Sequence, residues 1–383
     1  MHRSLLLALS SLALIAASCG ASSSGDGPAG AIEIKDQFRV EVLGTFDEPW
    51  ALALLPGGKS ALITERSGKL ILWSASGAVP VFGVPPVDFG GQGGLGEIAL
   101  SPDFATTGIV YLSWVEAGAG DTRGAVVGRA VLDRTSSPTT KTAPALRDLA
   151  VIWRQDPKVS GRGHFSHRIA FSPDGKYLFV ASGERQKFTP AQDLTVNLGK
   201  ILRLNLDGTP APGNPFAAKG GLSAQIWTYG HRNILGLQFD PQGRLWELEH
   251  GPAGGDELNL VKPGQNYGWP LVSDGDHYDG KPIPRHATRP DLAAPAISWN
   301  PVIAPGDFIF YSGKLWPEWK GQALITGLGS EGLVRVAIKG EKASEQARYP
   351  LGKRIREIRE APDGSLLVLE DGPGGRLLRL TRK

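Results

Sequence analysis

Cysteine is almost missing from this chain: Cys19 is the only one in 383 residues. That excludes an intrachain disulfide framework and a cysteine-based zinc site. Uninterrupted runs are missing too. After the first 19 residues no stretch free of glycine and proline exceeds 13 residues (31–43), so long helices are excluded over most of the length. Neither sign of charge dominates. The 41 basic and 38 acidic residues leave a net charge of +3, and the basic residues are scattered, which gives no footprint for nucleic acid. No G-x-S-x-G elbow and no H-E-x-x-H pair occurs, which argues against α/β-hydrolase and zinc-hydrolase chemistry. What the chain does have is 51 glycines, 29 prolines and ten tryptophans within a 41% hydrophobic composition. Those numbers describe a loop-rich, all-β globular protein with ample core material.

The start reads as an address. Met1-His2-Arg3 is a short basic opening, and residues 4–15 are an apolar stretch too short to span a bilayer. They run into Ala16-Ala17-Ser18-Cys19, which resembles a bacterial lipoprotein signal in which the cysteine is lipidated. The alternative is an ordinary secretory leader that happens to contain a cysteine. Residues 20–31, rich in glycine, serine and alanine, read as a flexible tether. The expectation is an exported protein, periplasmic or at the cell surface, whose membrane contact is a lipid on Cys19.

Beyond the tether, residues 32–42 alternate, with Ile32, Ile34, Phe38, Val40 and Val42 on one face of a strand. A cassette then recurs: an apolar strand, a Pro-Asp-Gly type turn and a second apolar strand. Its clearest copy is Ile169-Ala-Phe-Ser-Pro-Asp-Gly-Lys176, and further copies occupy residues 51–59, 98–103, 237–244, 308–314 and 358–365. Proline presets the turn and glycine supplies positive φ, so each copy is a hairpin. Six copies spaced along residues 32–383 predict a six-bladed β-propeller of four-stranded antiparallel sheets. A pair of two-sheet sandwiches and a seven-bladed ring with one eroded copy are the alternatives. In a propeller, the long insertions between repeats carry the function.

Two G-x-G-x-x-G matches, at residues 91–96 and 327–332, lead into strands rather than helices, which rules out the dinucleotide reading. Three insertions concentrate polar groups. His164 lies just before a blade strand, with Glu184 at the far end of that hairpin. The pair suits a general base with an orienting carboxylate, or a structural histidine. A second insertion runs from Arg232-Asn233 to Gly251-Pro252 and Asp256, where turn carbonyls beside carboxylates suit calcium or simply a polar turn. In the third, Arg354 and Arg356 alternate with Ile355 on one strand face, and two adjacent guanidiniums call for an anion between them unless they form a solvated edge. Asp274, Asp276 and Asp279 lack EF-hand spacing and read as a solvated loop.

At these residues the sequence resembles the soluble quinoprotein glucose dehydrogenases and, more closely, the bacterial aldose sugar dehydrogenases. The likeness runs from about Phe38 to the end. It is most specific in Gln92-Gly-Gly-Leu-Gly-Glu, in Tyr229-Gly-His-Arg-Asn, and from Gly251-Pro252 through Asp256-Glu257 to Asn266-Tyr-Gly-Trp-Pro270. The resemblance implies a six-bladed propeller holding pyrroloquinoline quinone (PQQ) and calcium, which oxidises aldoses at C1 to lactones. Carried over by position, His164 matches the general base and Glu184 its supporting acid. Gln92, Arg232 and Asn233 match contacts to the quinone, while Arg354 and Arg356 match arginines facing its carboxylates. Gly251 and Pro252 match the carbonyls that ligate calcium, with Asp256 beside them. The sequence departs from the pattern at two places: residues 326–330 offer no lysine, and His167 stands where glycine is common.

The activity so implied is direct hydride transfer. His164 takes the C1 hydroxyl proton, the quinone accepts the hydride, and calcium with Arg232 stabilises developing negative charge. A second electron acceptor, which the sequence does not name, must then reoxidise the cofactor. The rival readings are a calcium-dependent propeller lactonase and a cofactor-free surface propeller that binds sugar or protein.

Overall fold

The computed structural model describes residues 32–33, 37–135 and 143–383. The expected signal (1–19), the tether (20–31) and Ile34 lie outside the described residues.

Six blades of four antiparallel strands follow one another along the chain, the fifth extended by one short parallel strand. The first blade is Pro49–Leu54, Ser60–Glu65, Lys69–Ser74 and Gly77–Val81, and the innermost strands of the next five are Leu95–Leu100, Ser166–Phe171, Ile234–Phe239, Pro305–Phe310 and Ile355–Glu360. Each innermost strand contacts the next, and Ile355–Glu360 returns to Pro49–Leu54, so the sheets close into a ring. The recurring cassette is in every case the hairpin joining a blade's first and second strands. Second strands such as Leu245–Glu249, Ala323–Gly327 and Leu366–Glu370 are buried at every position, because both faces are covered by neighbouring blades. Six of the apolar clusters among the described residues lie one at each junction between consecutive blades, and a small seventh joins Ala191, Trp269 and Ile283. The stability of the ring therefore lies between sheets rather than in one central core.

The first alternating segment departs from expectation. Ile32–Glu33 pairs in parallel with Lys342–Pro350 of the fifth blade, whereas Phe38–Asp47 pairs with Pro373–Arg382 as the outermost strand of the sixth. Phe38 is buried, but Val40 and Val42, expected on the same inward face, are about half exposed. An outermost strand lies at the ring's periphery, where no further sheet covers it, so alternation there does not secure burial.

One side chain at the centre of the ring reaches every blade, and Arg359 adds ion pairs to Glu97, Asp307 and Glu357. Arg168, on the third blade, donates to Glu97 (2.8 Å), Leu235 O (2.6 Å), Gly306 O (2.7 Å) and Glu357 (2.7 Å), which belong to the second, fourth, fifth and sixth blades. Its guanidinium also lies 4.0 Å from the ring centroid of Trp50, on the first blade. All six innermost strands thus meet at one fully buried cation whose donors are taken up by carboxylates and carbonyls.

Candidate active site

In an antiparallel hairpin the start of the first strand and the end of the second share one edge. Gln92, His164, Arg232, Asn233 and Arg354 immediately precede innermost strands, whereas Arg66, Glu184, Gly251, Leu328 and Asp371 immediately follow second strands. The topology therefore gathers all ten at one mouth of the ring, with every blade contributing.

His164 is buried, and its Nδ1 lies 2.5 Å from Glu184 Oε1. Glu184 Oε2 accepts the amides of Lys187 (2.5 Å) and Phe188 (2.6 Å), so the carboxylate is fixed from behind. Burial pushes the His164 imidazole below its ordinary value; the bond to Glu184 opposes that shift and the Arg232 charge adds to it. Burial alone would raise the Glu184 carboxyl, but its bonds to His164 and to the Phe188 amide hold it below the usual range. A neutral imidazole beside a carboxylate places its proton on Nδ1 and leaves Nε2 as an acceptor. The backbone here is strained. Six of the ten described non-glycine residues with left-handed φ are His164, Ser166, His167, Arg185, Gln186 and Phe188. Gly183 permits the close approach of the two segments, since a Cβ there would lie 2.0 Å from His164 O.

Two adjoining cavities open at this mouth. The outer one, about 470 Å3, is walled by His164, Glu184, Phe188, Arg232, Trp269 and Tyr278 among others. Phe188 and Trp269 stack with ring centroids 5.6 Å apart, giving an apolar wall opposite the histidine. The inner one, about 240 Å3, is walled by Trp50, Arg66, Gln92, His167, Asn233, His250, Arg354, Arg356 and Asp371 among others. Gln92 connects them: it lines the inner cavity while its Oε1 accepts the His164 amide at 2.7 Å. Arg232 donates to His250 O (3.0 Å) and Tyr278 Oη (3.1 Å), yet its buried Nε has no partner among the described residues. Asn233 is held through its amide by Glu249 Oε2 at 3.2 Å.

Arg354 and Arg356 do share one face, but an anion of this chain already lies between them. Asp371 accepts Arg354 Nε and Arg356 Nε, each at 2.9 Å. Arg66 on the same wall is paired with Glu48 at 3.2 Å, so Arg354 and Arg356 against Asp371 leave the inner cavity one positive charge in excess. Arg66 itself is spent partly on the carbonyls of Gly91 and Gly93. Sequence reasoning missed Asp371. The signal was the Glu370-Asp371-Gly372 end of the strand that pairs with Ile355–Glu360.

At the turn after the fourth blade's second strand, Asp256 turns its oxygens to the amides of Gly251 (2.9 Å) and Ala304 (2.7 Å). Burial pushes its carboxyl up to about 6, against those bonds. The Gly251 and Pro252 carbonyls accept no hydrogen bond from another described residue. Asp256 therefore shapes a turn whose own carbonyls are left unpaired. The segment read as a solvated loop is only partly so. Tyr278 is 77% exposed, but Asp274 accepts Ser298 Oγ at 2.8 Å, and His277, Tyr278 and Asp279 wall the outer cavity. The aromatic wall and His250 were also missed, because aromatics separated by 80 residues or more give no local pattern.

A family profile described as Glucose / Sorbosone dehydrogenase matches residues 46–379. The chain belongs to that family. It is accordingly an oxidoreductase of the sugar dehydrogenase type. The aldose sugar dehydrogenase of Escherichia coli is 39% identical over 353 residues, covering 89% of this chain and 92% of that protein. Quinoprotein glucose dehydrogenase B of Acinetobacter calcoaceticus is 33% identical over 313 residues, 75% of this chain and 63% of that protein. Among solved structures, the apo form of the E. coli soluble aldose sugar dehydrogenase superposes with a TM-score of 0.82 at 37% identity, covering 90% of this chain and all of that one. The PQQ-bound aldose sugar dehydrogenase of Streptomyces coelicolor gives 0.72 at 30% identity, covering 90% and 98%. This glucose/sorbosone dehydrogenase thus shares both its sheet architecture and its sequence with sugar-oxidising relatives.

Proposed function

We propose that this chain oxidises aldoses at C1 to the lactone, using PQQ in the inner cavity and calcium at the Gly251-Pro252 turn. The observation that carries the reading is the juxtaposition of the His164–Glu184 pair with a cavity lined by guanidiniums and amides. PQQ is a planar ortho-quinone bearing three carboxylates, and the donor set suits it. Arg354 and Arg356 outnumber Asp371, Gln92 and Asn233 bring amides, and Arg232 Nε is buried without a partner among the described residues. The unpaired carbonyls of Gly251 and Pro252 are hard oxygen donors of the kind calcium takes. When bound, the quinone supplies the acceptor for two electrons and the C1 hydrogen.

The chain's own residues do the rest. His164 Nε2 accepts the proton of the C1 hydroxyl, and Glu184 orients the ring and stabilises the imidazolium as it forms. Arg232, which shares the wall of the outer cavity with His164, offers positive charge where oxygen becomes negative. Phe188 and Trp269 give the apolar face of a sugar ring a surface to lie against. The export reading joins this proposal: a protein held by a lipid on Cys19 would meet sugars outside the cytoplasm.

The test is reconstitution. The mature chain is stripped with chelator, titrated with PQQ with and without calcium, and assayed for dye reduction with a panel of aldoses. Turnover requiring both additions supports the proposal. Aldose-dependent dye reduction that ignores PQQ, or lactone hydrolysis without it, overturns it.

A further inference from the structure

The floor of the inner cavity holds a histidine that plays no part in the chemistry above. His167 is 2% exposed, and its ring stacks on Trp50 with centroids 5.1 Å apart and planes 11° from parallel. Phe165 meets it edge-on at 6.5 Å. On another side it lies directly over Gly96, where an added Cβ would fall 1.9 Å from His167 Cε1. The ring is therefore clamped, and it lines the inner cavity.

Hydrogen-bond accounting fixes its proton. His167 Nδ1 lies 2.7 Å from Ser113 Oγ, and the same Oγ accepts the Glu97 amide at 2.8 Å. Ser113 is fully buried, and its hydroxyl proton has no other acceptor among the described residues. Were Nδ1 protonated, two N–H groups would point at one oxygen and the hydroxyl hydrogen would be left without a partner, at a cost of about 1–3 kcal/mol. The arrangement that satisfies every group has Ser113 donating to Nδ1, which puts the ring proton on Nε2. Burial, reinforced by the Arg168, Arg185 and Arg66 charges, pushes the imidazole down to about 3, so the ring stays neutral. Nε2 makes no hydrogen bond within the described chain.

We propose that His167 is a cofactor-binding residue whose Nε2–H is a fixed, neutral donor from the cavity floor to an oxygen of the bound quinone. The inference rests on the reading of the inner cavity as the PQQ site. It differs in kind from the roles of the surrounding arginines. They attract an anion at long range and adapt to it, whereas a clamped neutral donor rewards only a ligand that brings an oxygen to one place.

Two measurements on the full mature protein test it. In histidine labelled with 15N, the His167 signals, assigned by their loss in His167→Gln, should report the Nε2–H tautomer and should not titrate between about pH 5.5 and 8. PQQ affinity, read from quenching of tryptophan fluorescence, should fall about tenfold or more in His167→Phe, equivalent to about 1.4 kcal/mol. That variant keeps a ring to stack on Trp50. Ser113→Ala, which leaves the histidine in place but releases its tautomer, should weaken binding severalfold, and His167→Gln, which can still donate, should stay within about threefold of wild type. An Nδ1–H tautomer, or His167→Phe binding PQQ as tightly as the wild type, would overturn the inference alone. A wild type that fails to bind PQQ would overturn the functional reading and this role with it.

Discussion

Replacing Glu184 by glutamine changes one atom, and the structure predicts that it does more harm than removing the side chain. Glu184 Oε2 is pinned by the amides of Lys187 and Phe188 at 2.5 and 2.6 Å. A glutamine there must turn its oxygen toward those two donors, which leaves its NH2 facing His164 Nδ1. To accept from it, Nδ1 must lose its proton, and the proton moves to Nε2, the nitrogen that has to act as base. Restoring the productive tautomer means turning the NH2 against the two amides, at about 1–3 kcal/mol for each buried group left unsatisfied. For the two amides together the bias is about 2–6 kcal/mol, which depopulates the active arrangement by roughly 30-fold at the least and about 10⁴-fold at the upper end. Glu184→Ala imposes no such bias. Its imidazole samples both tautomers, so a loss of about tenfold is expected from weaker orientation. The assay is kcat for dye reduction by reconstituted enzyme under saturating aldose, with PQQ occupancy measured separately. A glutamine variant that turns over faster than the alanine variant would refute the argument, because the carboxylate would then not act through the tautomer of His164.

The same pair sets a pH dependence. Burial holds His164 below its ordinary value while Glu184 pulls it upward, so the acid limb of kcat/KM should lie below about 6.5 and move lower still in Glu184→Ala; a limb that moves upward contradicts the assignment. Of the paired arginines, Arg356 has a side chain 12% exposed against 51% for Arg354, so Arg356→Ala should weaken PQQ binding more than Arg354→Ala in a direct titration. Asp371→Asn leaves both guanidiniums without their carboxylate and should lower the melting temperature of the cofactor-free protein by about 3–5 °C. Added PQQ should restore more of that loss than it adds to the wild type, and equal increments would argue against a carboxylate taking Asp371's place. Cys19→Ser should move the protein from the membrane fraction to the soluble one; a wild type already soluble excludes the lipid anchor.

The ring was legible because its repeat is local. Each Pro-Asp-Gly type turn fixes a hairpin from a handful of neighbouring residues, and six of them set the number of blades. Long-range relations were not legible. Val40 and Val42 alternate as core residues do, yet only the position of their strand at the periphery decides that they face solvent. Asp371 sits 15 residues beyond Arg356, and nothing but strand register shows that it lies between the two arginines. Arg168 stood in a stretch read for its histidines, and its link to the sixth blade, 189 residues away, has no trace in local pattern. His164 and Glu184, by contrast, belong to one hairpin, and their pairing could be anticipated from the length of its strands.

The pairing of Phe38–Asp47 with Pro373–Arg382 makes the sixth blade a seam sewn from both ends of the chain. Joining ends separated by more than 300 residues costs roughly 5 kcal/mol of loop entropy, which that one junction must recover before the circle holds. Such a fold pairs its last strands late and slowly, since nothing local holds them together until the rest of the ring is in place. The inner cavity lies across this closure, with Arg354, Arg356 and Asp371 on the stitched blade and Gln92, His167 and Asn233 at the second, third and fourth. A molecule seated there acts as a clasp as well as a reagent. Because it spans the closure and binds the closed ring, its binding stabilises the closed circle over an open one.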